Sequence, residues 1–568
     1  MTQTKRWLRF GLHYLEMVVA MLAGMLLLGL LWDAILPGTR RTDVDVLIMA
    51  ADMTIGMALW MRVRHHAWPA IAEMSVAMIA PFLLLLVPYW LGVISGHLVM
   101  TIGHVLMFVA MATVMLWRRE QYLDHDHRLD PRWFGRAGIV LVALLLPASV
   151  SGVNTAGKFA GLYAARADAV TVRPAGNQAR HDPAKPTVAL LVSGGGTNAG
   201  DLLGPYEALA GSGRVNTYVV SPGARLAPLT GGLDLVPDLT FDELDRLLAE
   251  RGDTLDAFVV PALNDPAELG QITAWLRRQA AAGALAVSVC AGARTLAASG
   301  LLDGRPATSH WWRLPELRAD YGKVGWVSGR RYVDDGEVIS TAGVLSGIDG
   351  GLRILERLVG MDAAREAASR VRWRHYTPGA SGPIPVSGWE PVDVAVVALN
   401  SSYQVGPSAI GVRLVEGTGE LELASAFATY TEHSMVGRTV AVGEGPIRSR
   451  HGLTFVPRVR DAEGLDRLLV PGTAAAARGR EAGAVYLHTG TEFAFDPVLR
   501  DVARTYDVPT ARWAAKMLEY PVMDVDLRGS GWLWPATIVA LVLLLVGAVA
   551  AVAGGRVVRW ALHRRGSR

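Results

Sequence analysis

The chain has 568 residues, 51% of them hydrophobic, with a mean hydropathy of +0.28 and a net charge of only +3. It is too long for one domain and unusually apolar for a soluble enzyme, and it shows no basic, aromatic-laced surface of the kind that binds nucleic acid. Cys290 is its only cysteine, which excludes an internal disulfide framework.

Apolar stretches at residues 10–32, 44–61, 68–95, 97–117, 134–154 and 531–555 are each long enough to cross ~30 Å of hydrocarbon. Pro81 and Pro88 should kink or end the third. The first is too long for a cleaved signal peptide. Lys5, Arg6 and Arg9, then Arg62 and Arg64, then Arg118, Arg119, Arg128, Arg132 and Arg136, and finally Arg556, Arg559, Arg564, Arg565 and Arg568 alternate so as to fall on one side. Only Arg40 and Arg41 oppose them in the short loops. The expectation is a multi-pass protein of the cell membrane with both termini cytoplasmic, its soluble block extracytoplasmic and the lipid bilayer as a partner.

Fourteen of the eighteen methionines lie in the first 115 residues. Met49, Met53, Met57 and Met61 share one helical face, and His97, Met100, His104, Met107 and Met111 share another. Asp52 and Glu73 are carboxylates in or near these spans, where such groups usually face a bundle interior. Thioethers with imidazoles suit copper, but methionine is more often a packing residue and no CxxC or His-x-His cluster supports a metal. No metal and no cofactor are expected.

The domain boundaries read as 1–157 for a five-helix transmembrane domain, 158–185 for a tether, 186–375 for a first α/β domain and 376–390 for a Pro/Gly linker. Residues 391–525 follow as a second domain, 530–556 as a last transmembrane helix and 557–568 as a basic cytoplasmic tail. In the first α/β domain, strands at Thr187–Val192, Asn216–Val220, Ala257–Val260 and Ala286–Val289 alternate with helical stretches at Pro205–Ala210 and Ala267–Ala281, the pattern of a parallel sheet. The turn Ser193-Gly194-Gly195-Gly196 could cradle an anion, though such a turn is more often just a tight loop.

Cys290 closes the run Ala286-Val287-Ser288-Val289 and precedes an Ala/Leu-rich helix that Gly300 should end in the left-handed conformation. A strand–turn–helix junction exposes such a side chain and aims a helix N-terminus at it, which should lower the thiol pKa. A free cysteine is also among the most commonly buried residues, so a structural role stands beside the catalytic one.

Five motifs occur in order around it. They are Asp201-Leu202-Leu203-Gly204-Pro205-Tyr206-Glu207, Gly231-Gly232-Leu233-Asp234-Leu235-Val236-Pro237, Ser288-Val289-Cys290-Ala291-Gly292, Ala307-Thr308-Ser309-His310-Trp311, and Thr341-Ala342-Gly343 with Gly347-Ile348-Asp349. Together they resemble the PfpI superfamily, which includes the Parkinsonism-associated deglycase, and within it the branch of isocyanide hydratase and the ligand domains of AraC-type regulators. The likeness covers residues 186 to about 360. It implies a flavodoxin-like, class I glutamine amidotransferase-like α/β sandwich.

The resemblance also implies roles. Asp201 would hydrogen-bond the nucleophilic Cys290 sulfur; read from the residues alone, it would serve equally as the N-cap of a Leu202–Ala210 helix. His310 would approach the sulfur as acid or base, although a lone histidine is more often structural. The amides of Ala262 and Ala291 are the oxyanion-hole candidates, and Gly204, Thr308 and Trp311 would complete the binding site. Two departures stand out. Ala291 replaces the histidine of the protease-like branch, arguing against a peptidase, and Pro261-Ala262-Leu263 replaces a Pro-Gly-Gly turn that would bind an oxyanion.

The second domain reads as a degenerate copy without the cysteine. Val394–Val397 echoes Val188–Leu191, Gly452–Pro457 echoes Gly232–Pro237, and Leu468–Pro471 echoes Phe258–Pro261. The expected architecture is therefore two such sandwiches forming a pseudo-dimer, flanked by transmembrane helices, with a homo-oligomer left open. The expected function is a cysteine-dependent hydratase or hydrolase, isocyanide hydratase-like or glyoxalase/deglycase-like, acting on a small electrophile. The alternatives are a small-molecule or redox sensor without turnover, and an inactive scaffold.

Overall fold

The computed structural model describes residues 14–29, 42–117, 131–166 and 181–566, apart from 15, 27, 65, 67, 91–95, 165, 224–225, 265–266, 477–479 and 523–524. The chain forms two compact units, residues 1–144 with 546–568, and residues 145–545. The amino-terminal stretch, most of the tether and several of the arginines that set the expected orientation lie outside the described residues.

In the first unit the helices Thr42–Val63, Trp68–Trp90 and Gly96–Trp117 pack around buried methionines, among them Met17, Met21, Met53, Met57, Met61, Met74, Met107 and Met111. The unbranched thioether fills the irregular gaps between helices, so one face of each helix is methionine-rich. Gly24 and Gly56 meet at a helix crossing where a side chain on Gly24 would stand 2.8 Å from the Gly56 Cα. Trp68–Trp90 continues through Pro81 and ends near Pro88. Among the described residues, Val46–Val63, Trp68–Leu85 and Trp534–Gly554 are long and apolar enough to cross a membrane, and Glu16–Leu26 and Val99–Met115 are shorter apolar helices.

The second unit is α/β. Its first eleven strands are β1 (Thr187–Leu191), β2 (Asn216–Ser221), β3 (Ala227–Leu229), β4 (Leu233–Val236), β5 (Leu239–Thr240), β6 (Ala257–Val260), β7 (Leu285–Ser288), β8 (Pro306–Ala307), β9 (Gly325–Trp326), β10 (Tyr332–Asp334) and β11 (Val338–Thr341). Seven of them form a sheet in the order β10-β11-β7-β6-β1-β2-β5, parallel except for β10. The short β-branched runs mark the central strands because both faces are covered. Along β1, Val188 and Leu190 enter one core while Ala189 and Leu191 enter the other with Phe241, Phe258 and Trp275.

Residues beyond the linker build a smaller parallel sheet. Its strands are among β12 (Ala409–Arg413), β13 (Arg438–Val442), β14 (Ile447–Arg448), β15 (Thr454–Val456), β16 (Arg467–Val470) and β17 (Val485–Tyr486), in the order β13-β12-β16-β17. The strands β14, β15, β4 and β3 form a separate antiparallel sheet, so a hairpin from each half contributes two strands. One hydrophobic core runs from Val188, Val287 and Ile348 through Leu421 and Phe427 to Phe455 and Val498.

Two local expectations are corrected. Val394–Val397 is not a strand but lies in the helix Pro391–Tyr403, where Pro391 takes the first turn and the Glu390 and Asp393 side chains cap each other's backbone. The strand in that place is β12, fifteen residues later. The helix carrying Asp201 begins at Ala199, and its N-cap is Asn198, whose side chain accepts the Asp201 N–H; Asp201 sits inside the first turn.

Candidate functional site

Cys290 follows β7 and precedes the helix Gly292–Ala298, with φ 55. A non-glycine residue held in this left-handed region is strained, and the surroundings enforce it. The Val289 N–H donates to Val260 O (2.9 Å), and Ser309 Oγ donates to the Cys290 carbonyl (2.7 Å). Gly292 is required because a Cβ there would stand 2.0 Å from Val260 O. The helix N-terminus therefore presses against the end of β6.

Asp201 is wholly buried beside the sulfur. Its Oδ2 accepts the Ala262 N–H at 3.0 Å, and the carboxyl also interacts with the Cys290 thiol. Oδ1 takes no hydrogen bond from any nitrogen or oxygen donor among the described residues. Burial first, then the Glu432 charge, pushes the Asp201 carboxyl well above the ordinary carboxylate range, so it holds its proton.

The thiol behaves contrary to expectation. Burial, and after it the negative potential of Asp201, raises Cys290 well above the ordinary thiol value, and the Ala291 amide bonded to the sulfur opposes this only in part. The following helix is only seven residues long, so its dipole loses to desolvation. The pair is thus a buried thiol and a buried carboxyl that both resist ionisation.

Of the other expected residues, Ala262 and Ala291 come to the pair, but each amide is already engaged, Ala262 on Asp201 and Ala291 on Cys290. His310 is buried and held at both ring nitrogens: Nε2 lies 2.8 Å from Met517 O, and Nδ1 accepts the Trp312 N–H. Burial drives its pKa down to about 3, so it is neutral. Thr308 spends its hydroxyl on Val327 O and its amide on Ser340 Oγ. Trp311 joins a tryptophan cluster with Trp312, Trp389 and Trp513. Gly204 packs against Ile348 one helical turn from Asp201, where a Cβ would stand 3.3 Å from Ile348 Cγ1.

Sequence reading missed what the second half brings. Glu432 accepts hydrogen bonds from Asn198 Nδ2 (2.7 Å), Thr230 Oγ1 (3.1 Å) and Tyr163 OH (3.3 Å). It thereby braces the cap of the Asp201 helix. Its neighbour His433 is buried with both ring nitrogens unpartnered among the described residues, and it lies close enough to His310 for the two charges to interact. Glu519, at φ 50, accepts the Trp311 N–H, and burial lifts it to about 7. Glu432 and Glu519 both act electrostatically on Cys290. No local motif marks these residues, because each belongs to a segment more than a hundred residues from the cysteine. In the Ser193–Gly196 turn the Gly194 N–H donates to the Glu268 side chain (3.0 Å).

The model of the DJ-1/PfpI family matches residues 187–357. The chain is 35% identical over 187 residues to isonitrile hydratase of Pseudomonas putida, covering 32% of this chain and 76% of that protein. It is 31% identical over 148 residues to Protein DJ-1alpha of Drosophila melanogaster, covering 25% and 63%. Among solved structures, a ThiJ/PfpI family protein from Pseudomonas syringae matches at 28% identity and a TM-score of 0.29, covering 34% of this chain and 78% of that one.

Proposed function

The chain belongs to the DJ-1/PfpI family through residues 187–357, and we propose that it is a membrane-anchored hydratase or hydrolase in which Cys290 attacks a small electrophile while Asp201 carries the proton. The observation behind this reading is the pairing of a strained, buried thiol with a wholly buried carboxyl that also accepts the Ala262 N–H (3.0 Å). An isonitrile carbon or a reactive carbonyl is the substrate class. For an isonitrile, Sγ forms a bond to the terminal carbon while that carbon receives the proton that leaves the thiol, relayed by Asp201. Water then adds to the same carbon, the nitrogen takes up a proton, the C–S bond breaks and the thiol regains its hydrogen. The sum is the addition of one water, giving a formamide. Because the neutral pair starts with both protons, the substrate meets no buried anion before attack, and the relay avoids a free thiolate in a low-dielectric site.

The second half is read as a degenerate copy of the first, so that the chain carries its own pseudo-dimer. The strand order β13-β12-β16-β17 follows the order β2-β1-β6-β7, and the two hairpins pair with each other. The proposed topology keeps both termini cytoplasmic and the α/β unit outside.

A sensor without turnover is the second reading, favoured by one observation: the Ala262 amide that would stabilise an oxyanion is committed to Asp201. The test is turnover by the purified full-length chain of an aryl isonitrile and of glyoxal, with product read by mass spectrometry. Formamide or glycolate formation that Cys290→Ala abolishes and Asp201→Asn lowers by roughly 10²-fold or more supports the enzyme. Turnover unchanged in Cys290→Ala overturns it. A wild-type chain that is alkylated at Cys290 but converts neither substrate leaves the sensor.

A further inference from the structure

A cavity of about 220 Å³ opens where the smaller parallel sheet meets the helix Ala199–Ser212. Its place in the fold is set by the strand register. In the larger sheet Val260 pairs with Ser288, Val289 N–H bonds Val260 O, and Cys290 follows. In the smaller sheet Val470 pairs with Tyr486, Leu487 N–H bonds Val470 O (3.1 Å), and His488 follows. His488 thus stands where the larger sheet puts its cysteine. Glu422, in the first turn of the helix Glu420–Phe427, accepts the Thr473 N–H (3.2 Å) beyond β16, as Asp201 accepts Ala262 N–H beyond β6.

The chemistry differs from that at Cys290. His488 Nδ1 accepts the Gly472 N–H (3.0 Å) and Nε2 lies 2.9 Å from Ala494 O, which fixes a neutral tautomer with no spare nitrogen. Among the described residues the cavity offers no thiol, and its charged side chains suit recognition. Glu207, Glu422, Arg370, Arg372, Arg450 and His488 line it. Arg450 bridges Glu207 (3.0 Å) and Glu422 (2.8 Å). Arg372 is held at φ 58 and spends one N–H on Glu492 O (3.0 Å). Arg370 donates to Gly211 O and to Glu366 (2.6 Å), and Glu422 also accepts the Gly419 N–H (2.7 Å), so these guanidinium and carboxylate groups are held in place around one space.

We propose that this cavity is a ligand site for a small zwitterion of amino-acid size, its carboxylate taken by Arg372 with Arg370 and its ammonium by Glu422 with Glu207. A planar guanidinium matches a carboxylate in bidentate fashion, and an ammonium offers three donors to the two acidic side chains. A lone anion would meet the carboxylates and a lone cation the arginines, so a molecule bearing both charges fits better than either. The assignment stands on the cavity and its lining, independently of whether the two halves share an origin.

Equilibrium dialysis of the full-length chain in detergent tests it. The probes are labelled glycine, L-alanine, L-glutamate and L-arginine, with acetate, methylamine and inorganic phosphate as singly functional controls. The expected result is saturable binding of at least one amino acid at one per chain, tighter than any control. Arg372→Gly removes the guanidinium and relieves the left-handed backbone, so the fold is retained while affinity falls at least tenfold. Glu422→Gln should weaken binding similarly, and Cys290→Ala should leave it unchanged. Acetate or phosphate binding as tightly as the amino acids, no amino acid binding at all, or affinity that survives Arg372→Gly overturns the proposal.

Discussion

Leu235 and Phe455 face one another at the centre of the antiparallel sheet shared by the two halves, with Thr454 opposite Val236 and Val456 opposite Asp234. Both segments carry a Gly-Leu-x-x-Val-Pro pattern, at residues 232–237 and 452–457, and they pair antiparallel with each other. Phe455 is fully buried in the continuous core. Phe455→Ala should cost about 3–5 kcal/mol and lower a single unfolding transition of the α/β unit. Thermal unfolding with probes in both halves checks this; an early transition confined to residues 391–525 would mean that the halves do not share their stability.

Cys290 should be a slow thiol. A pKa raised by even one unit leaves about a tenth of the thiolate at a given pH below it. Iodoacetamide at pH 7.5 should therefore modify Cys290 at least tenfold more slowly than a free cysteine. A rate equal to or above the free thiol's would show that the helix and the Ala291 amide outweigh burial.

Glu519 sets a pH limb. Its carboxyl is held at about 7 in the folded chain against an ordinary 4.5, so folding retains a proton that the unfolded chain loses in that range. Its contribution is complete below about pH 4.5, declines as pH rises to about 7, and is flat above. Glu519→Gln should flatten the loss of stability between pH 5 and 7, by up to about 1.4 kcal/mol per pH unit. Denaturation midpoints at four pH values decide it, and parallel curves for the two chains would contradict the assignment.

Gly292→Ala should disable the site while Gly300→Ala, at an open left-handed position, costs roughly 1 kcal/mol. A methyl at 292 collides with the Val260 carbonyl, whereas a Cβ at 300 meets nothing within 4 Å. Cys290 alkylation and thermal stability of the two variants should separate accordingly, and equal effects would argue against the close packing of β6 on the Cys290 turn.

For the membrane topology, a cysteine introduced at Gln178 should react with an impermeant maleimide on intact cells, and one at Arg565 only after lysis. The reverse pattern would reject the orientation drawn from the arginines.

Much of the larger sheet was legible because buried parallel strands read as short apolar runs; Ala257–Val260 is both the expected strand and β6. Val394–Val397 misled because a four-residue valine run looks like a strand while the helix start lies just before it, in Glu390, Pro391 and Asp393. Asp201 was placed beside Cys290 by motif, but its capping role fell to Asn198, three residues earlier. The direction of the thiol shift was misjudged because a helix N-terminus is visible in a sequence and the depth of burial around it is not. Glu432, His433 and Glu519 were invisible for the same reason: their partners are set by how the two halves pack.

Because Glu432 and Glu519 reach Cys290 along one polypeptide, the site is assembled at an effective concentration fixed by the chain, not by how many copies are present. Dilution cannot strip these carboxylates from the thiol, so reactivity should not vary with expression level. With one thiol per molecule, each chain is also a single-event reporter: it is either modified or intact, and no half-occupied state intervenes.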